Sequence, residues 1–318
     1  MSCEHGRLRK KNVLGAPVRF LARLAIGCLL FAQSGCLSAC AAPPQQFDGS
    51  RALKDVEAQL AFGPRTLGSP AHARMVDWLS AGLKQAGWDV EVQETPLENG
   101  FTLCNVVASR GAGRPWILLG AHYDSRFVAD QDPDPARRSQ PVPGANDGAS
   151  GVAVLLELAR ILPQHSGPGR LWLVFLDAED NGRLPGWDWI MGSRALAAGF
   201  AGDVEKPDAA IIVDMIGDAD LNIYLERNSD PDLSAEIWAQ AAELGYDQWI
   251  NQPKFQMLDD HLPFREAGIP AVDIIDFDYP AWHTSADTLD KVSAESLQAV
   301  GDTLAHWLAA RGAAAKEK

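Results

Sequence analysis

Four stretches of the chain are apolar at nearly every position: Pro115 to Gly120, Arg170 to Leu176, Ala209 to Val213 and Ala271 to Asp276. Runs of this length without alternation predict strands covered on both faces. Trp88 to Val92 alternates and predicts a half-buried strand; Thr102 to Ser109 predicts another. Elsewhere the apolar period is helical. Ser50 to Phe62 predicts one helix. Pro70 to Gly87 predicts a second, with Met75, Trp78, Leu79 and Leu83 on one face and Gly87 as its C-terminal stop. Val152, Leu155, Leu156, Ala159 and Leu162 mark a third, and Asp188 to Phe200, Asp232 to Leu244 and Val292 to Ala310 three more. Strands alternate with helices, so the chain is predicted to be α/β, with a mainly parallel sheet and helices on both faces. No repeat and no internal linker divides residues 50–318, which predicts one domain.

The first residues break this pattern. Arg7, Arg9, Lys10, Lys11, Arg19 and Arg23 precede an apolar run from Leu24 to Ala32. A basic stretch and an apolar run too short to span a bilayer predict a secretory signal over residues 1–39. Leu37-Ser38-Ala39-Cys40 resembles the bacterial lipoprotein box, which implies a lipid on Cys40. Cys36 fits less well, because Gln33 stands where that box has an aliphatic residue. Ordinary cleavage near Ala42 is the alternative. Residues 40–49, with Pro43, Pro44, Gln45 and Gln46, predict a tether. The expected location is the bacterial cell envelope, facing the periplasm, with a lipid anchor or soluble.

Composition then narrows the function. Residues 1–39 carry a net charge of +5 against -14 for the whole chain, leaving -19 for the remainder. That argues against nucleic acid or an anionic lipid surface as partner. Cys104 is the one cysteine beyond the leader and tether, so the folded body has no internal disulfide framework available.

The apolar runs end alike. Leu173-Val174-Phe175-Leu176 leads into Asp177-Ala178-Glu179-Asp180. Pro115 to Gly120 ends at His122 and Asp124, Ala209 to Val213 at Asp214, and the last run precedes Trp282-His283-Thr284. Pro143 to Gly151 adds Asp147 in front of a helix. Carboxylates gathered at the carboxyl edge of a sheet repel one another and lose hydration unless a cation holds them. Oxygen and imidazole donors suit zinc or a similar ion. In His122-x-Asp124 the acid can bond the ring nitrogen that faces away from a metal. In Glu179-Asp180 one acid can bind metal while its neighbour serves as base. The stretch Arg126 to Pro143 has four prolines and three aspartates and predicts a long loop of the kind used as lids or binding loops.

These segments, together with Asp259-Asp260-His261-Leu262-Pro263-Phe264, resemble the zinc aminopeptidase and glutaminyl cyclase superfamily over the chain beyond the leader. The resemblance implies a three-layer α/β/α sandwich around a mixed sheet. It implies peptide or protein N-termini as substrates, and one of two chemistries. In an aminopeptidase, His122 with Asp214 and Asp180 with His283 would hold two zinc ions bridged by Asp147, and Glu179 would activate water. In a glutaminyl cyclase, Asp147, Asp180 and His283 would hold one zinc, and Glu179 would move a proton. Asp259 matches the cyclase acid beside the catalytic glutamate, in a carboxylate chain with Asp214. Trp282 matches a pocket aromatic, Trp187 a second one with Trp189 as rival, and His261 a histidine near the site. A binding lipoprotein with a dead site is a third reading. Asp180 stands where many relatives have Glu, one methylene longer. Asp177 is expected to be a structural strand-end acid. His72, His165 and His306, which lie in no motif, are expected at the surface.

Overall fold

The computed structural model describes residues 46–162 and 169–316. The leader, Cys36, Cys40, most of the tether and His165 lie outside the described residues. Pro43–Lys318 is one compact unit.

The chain runs α1 (Gly49–Leu60), α2 (Pro70–Gln85), β1 (Asp89–Pro96), β2 (Thr102–Gly111), β3 (Trp116–His122), α3 (Ala149–Ile161), β4 (Arg170–Leu176), α4 (Met191–Ala198) and β5 (Ala209–Asp214). It continues through β6 (Ile223–Leu225), α5 (Pro231–Leu244), β7 (Trp249–Pro253), α6 (His261–Glu266), β8 (Ala271–Ile275) and α7 (Ala294–Lys316). Local chemistry sets several ends. Asp48, Ser69 and Asp230 each accept a backbone N–H at a helix start. Gly87, in the left-handed region, follows α2 as predicted.

Among the described residues one sheet has six strands in the order β1-β2-β4-β3-β5-β8. Strands β4, β3, β5 and β8 are parallel, and β2 runs against its neighbours β1 and β4. The period-2 rule explains why their sequences are apolar throughout. Ile117, Leu119, Leu173, Phe175, Ile211 and Val213 point into a core shared with α1, α3, α5 and α7. Leu118, Val174, Leu176 and Ile212 point the other way, against Leu196 of α4 and Phe264 of α6. Both faces are covered, giving the expected three layers.

Three expectations shift. The Asp188 to Phe200 helix begins only at Met191, because Ile190 is left-handed (φ 55°) and its N–H bonds the Glu179 carbonyl. Strand β1 extends to Pro96, paired residue by residue with β2. His72 is buried, not at the surface: its Nε2 lies 2.9 Å from both oxygens of Asp177. Asp177 is structural as expected, accepting also from the Cys104 N–H at 2.7 Å. His306 is at the surface. No helix among the described residues is long and apolar enough to cross a membrane.

Candidate metal and catalytic centre

The carboxyl ends of β3, β4, β5 and β8 deliver the predicted residues to one place. His122 closes β3 and Asp214 closes β5; Glu179 and Asp180 follow β4; His283 follows β8. Asp147 comes from the turn before α3. A side chain on Gly148 (φ 94°) would press 2.8 Å against the Asp124 carbonyl, so this turn needs glycine to bring Asp147 inward. Ala178, Met215 and His283 have left-handed backbones, though none is glycine. Each conformation costs about 1–3 kcal/mol and is held by the surrounding packing, a pattern concentrated at functional sites.

Two groups of ligand atoms result. Asp147, Asp180 and His283 form one, with His283 Nε2 2.6 Å from Asp180 and 3.7 Å from Asp147. His122, Asp147 and Asp214 form the other, with His122 Nε2 3.2 Å from Asp147 and 3.1 Å from Asp214. Asp147 belongs to both. All five side chains are buried. Among the described residues Asp147 Oδ2 and Asp180 Oδ2 find no hydrogen-bond donor. Buried carboxylate oxygens left this way fit a bound cation, and the oxygen and imidazole set fits zinc.

Supporting bonds fix these ligands. Asp124 Oδ1 lies 3.5 Å from His122 Nδ1 and accepts the Glu179 N–H at 3.0 Å, tying the ends of β3 and β4 together. Asp287 accepts the N–H groups of Asn146 and Asp147. Arg126 bonds the Asp180 carbonyl at 2.6 Å, pairs with Asp130, and lies over Trp189. The Arg126 to Pro143 loop is therefore anchored: its Gln131 N–H bonds the His283 carbonyl, and Asp132 accepts from Ser285. Asp287 and Arg126 carried no motif. Their roles come from loop packing, for which the sequence holds no periodic signal.

Beside the ligands opens a cavity of about 180 Å³. Glu179 and Asp259 reach it, with Asp147, Asp180, Asp214 and His283. Its walls are Met215, Met257, Leu258, Ile275, Phe277, Trp189 and Trp282. Trp282 stacks on His283, ring centroids 3.8 Å apart. Burial, reinforced by the charges of Asp180, Asp259 and Asp260 and opposed by His122, pushes the Glu179 carboxyl well above its usual range. Burial and the charges of Asp214 and Asp260 do the same to Asp259.

Two pocket expectations are corrected. Trp187 does not line the cavity; it packs on Phe101 and Phe127. Trp189, two residues on, takes the place at 5.9 Å from the His283 ring, while the Phe101 and Phe127 rings hold Trp187 elsewhere. His261 does not line it either. It is fully buried behind the site, with Nε2 3.2 Å from Glu226 and Nδ1 3.7 Å from Asp273.

Comparison with known proteins agrees with this geometry. The family model of Peptidase family M28 matches residues 105–308. A glutaminyl-peptide cyclotransferase-like protein of Bos taurus is 30% identical over 285 residues, covering 77% of this chain and 71% of that protein. Glutaminyl cyclase of Tannerella forsythia superposes with a TM-score of 0.77 at 34% identity, over 83% of this chain and 99% of that one. A leucine aminopeptidase precursor from Bacteroides thetaiotaomicron superposes at 0.79 with 32% identity, over 85% and 99%. The chain is an enzyme of this superfamily and belongs to peptidase family M28.

Proposed function

We propose that the chain cyclises the N-terminal glutamine of peptides to pyroglutamate with release of ammonia. The observation that carries this reading is the cavity, where Glu179 and Asp259 meet the Asp147, Asp180 and His283 group inside apolar walls. At about 180 Å³ it is smaller than the ~300–1,000 Å³ of pockets for drug-sized ligands, room for one side chain rather than a peptide.

Asp147, Asp180 and His283 would hold one zinc ion, which supplies Lewis acidity toward the γ-carboxamide oxygen. Glu179 takes a proton from the substrate α-amine as that nitrogen bonds the carboxamide carbon, Cδ. It returns the proton to the departing amide nitrogen, which leaves as ammonia when its bond to Cδ breaks. The like charge of Asp259 helps keep Glu179 able to hold that proton. Met215, Ile275, Phe277 and Trp282 shield the amide from water, which favours the internal nucleophile over hydrolysis.

The His122, Asp147 and Asp214 group favours a second reading, an aminopeptidase with two zinc ions. One experiment separates them. A Gln-initiated and a Leu-initiated peptide are incubated together with residues 41–318 and zinc, and both are weighed by mass spectrometry. Loss of ammonia from the first alone is expected. Removal of the first residue from either peptide establishes the hydrolase instead.

The basic leader and Cys40 support export and lipid attachment at the bacterial envelope. Labelled fatty acid should enter the full chain and fail to enter a Cys40→Ser variant.

A further inference from the structure

The cavity is acidic in its depth and apolar on its walls, and among its lining residues the one permanent cation is Arg183. Arg183 is exposed. Among the described residues its side chain has no hydrogen bond, ion pair or ring contact. Other guanidiniums near the site are engaged: Arg65 with the carbonyls of Tyr123, Pro143 and Gly144, and Arg126 with Asp130.

The backbone holds Arg183 where it is. Its φ is 65°, a conformation that a side-chain-bearing residue keeps only when its neighbours impose it. The neighbours do so. Arg126 bonds the carbonyls of Asp180 and Gly182. The Asn181 side chain accepts the Phe127 N–H at 2.9 Å, and the Leu184 N–H bonds the Asn181 carbonyl. The turn is fixed on both sides of an unpaired cation at the cavity.

We propose that Arg183 is a specificity-determining residue that binds a carboxylate close behind the N-terminal residue of the substrate. This rests on the reading above, which sends the N-terminus into the acidic depth and the rest of the peptide past the rim. A substrate with its ammonium inside and a carboxylate outside then matches the charge layout of the cavity. The carboxylate has two sources: an acidic second or third side chain, or the free C-terminus of a dipeptide.

The test uses four substrates: Gln-Ala with a free C-terminus, Gln-Ala amide, Gln-Glu amide and Gln-Lys amide. Loss of ammonia and loss of the first residue are both followed by mass spectrometry. The wild-type kcat/KM is expected to be about three- to tenfold higher for a carboxylate-bearing substrate than for Gln-Ala amide, the size of one partly exposed ion pair. The advantage should reside in KM and shrink at high salt. Comparing Gln-Ala with Gln-Glu amide tells which carboxylate is read. In Arg183→Ala the ratio should fall to about one, and in Arg183→Glu the preference should turn toward Gln-Lys amide. Equal ratios in wild type and both variants overturn the assignment. First-residue removal in place of ammonia loss overturns the cyclase reading alone, since the charge ratios of that reaction still test Arg183.

Discussion

Two buried acid clusters of this molecule are built differently. Between α1 and α3, Glu157 accepts from Arg51 at 2.6 Å and from Arg160 at 3.1 Å, and Arg160 also bonds Asp55 at 2.9 Å. Every carboxylate there has a guanidinium. At the sheet edge, Asp147, Asp180 and Asp214 share two histidines, and two of their oxygens have no donor among the described residues. The first cluster is complete as folded. The second has a place for a cation the chain does not supply. Buried acid alone therefore says little about function; the missing counter-charge does.

The sharpest way to break this contrast is to remove one acid from each cluster. Asp180→Asn should lose zinc, measured by elemental analysis, by more than the ~10–100-fold that removing a supporting partner costs a metal site. Activity should vanish with the metal. In chelated protein the same substitution should not lower the melting temperature, because it relieves repulsion from Asp147. If chelated Asp180→Asn melts well below chelated wild type, Asp180 is a structural acid like Glu157.

Glu179→Gln tests the division of labour inside the second cluster. Turnover should fall ~10²–10⁴-fold, the usual worth of a positioned proton carrier. Zinc content should stay at the wild-type level. Zinc loss in this variant would move Glu179 from proton carrier to ligand.

Glu157→Gln addresses the first cluster. Breaking a buried ion pair costs about 3–5 kcal/mol when the partner is stranded. Here each arginine side chain is 32% exposed and regains water. About 1–3 kcal/mol of destabilisation is expected in denaturant unfolding, with zinc content unaltered. An unchanged midpoint would show that the arginines, not the pairs, hold α1 to α3.

The same contrast explains what could be read in advance. Strands β3, β4, β5 and β8 were legible because burial on both faces leaves continuous apolar runs, and His122, Asp180 and Asp214 because each stands at or just past the end of such a run. Strands β6 and β7, three and five residues long, leave no period to detect. Trp187 and Trp189 lie in one irregular loop, where spacing does not decide which ring faces the cavity. His72 lies on α2, yet its partner Asp177 is 105 residues away. Asp287 and Arg126 act through backbone groups of distant loops. What sequence conceals here is the long-range pairing of single polar side chains.

His72 and Asp177 stand between the two clusters, since their acid has a partner whose charge depends on pH. Burial opposes the His72 charge, but the bond to Asp177 and its carboxylate charge hold the imidazole above its ordinary value. Asp177 is itself pushed up by burial, with His72 pulling it back. For the histidine, a raised folded value means stability fully present below its unfolded value, ~6.5, and lost as pH rises through the higher folded one. For the acid, a raised value likewise means stability that declines as pH rises above ~3.9. Both halves act in one direction. Wild-type stability should therefore carry a component that falls with increasing pH above ~6.5. His72→Asn, which keeps a donor for Asp177 but cannot titrate, should be less stable at pH 6 and should lose that component. Glu157→Gln, whose partners are arginines, should leave the slope in this range unchanged. Unfolding midpoints at pH 6, 7 and 8 in zinc-free buffer would measure it, and parallel slopes for wild type and His72→Asn would show that folding leaves the His72 pKa where it is in the unfolded chain.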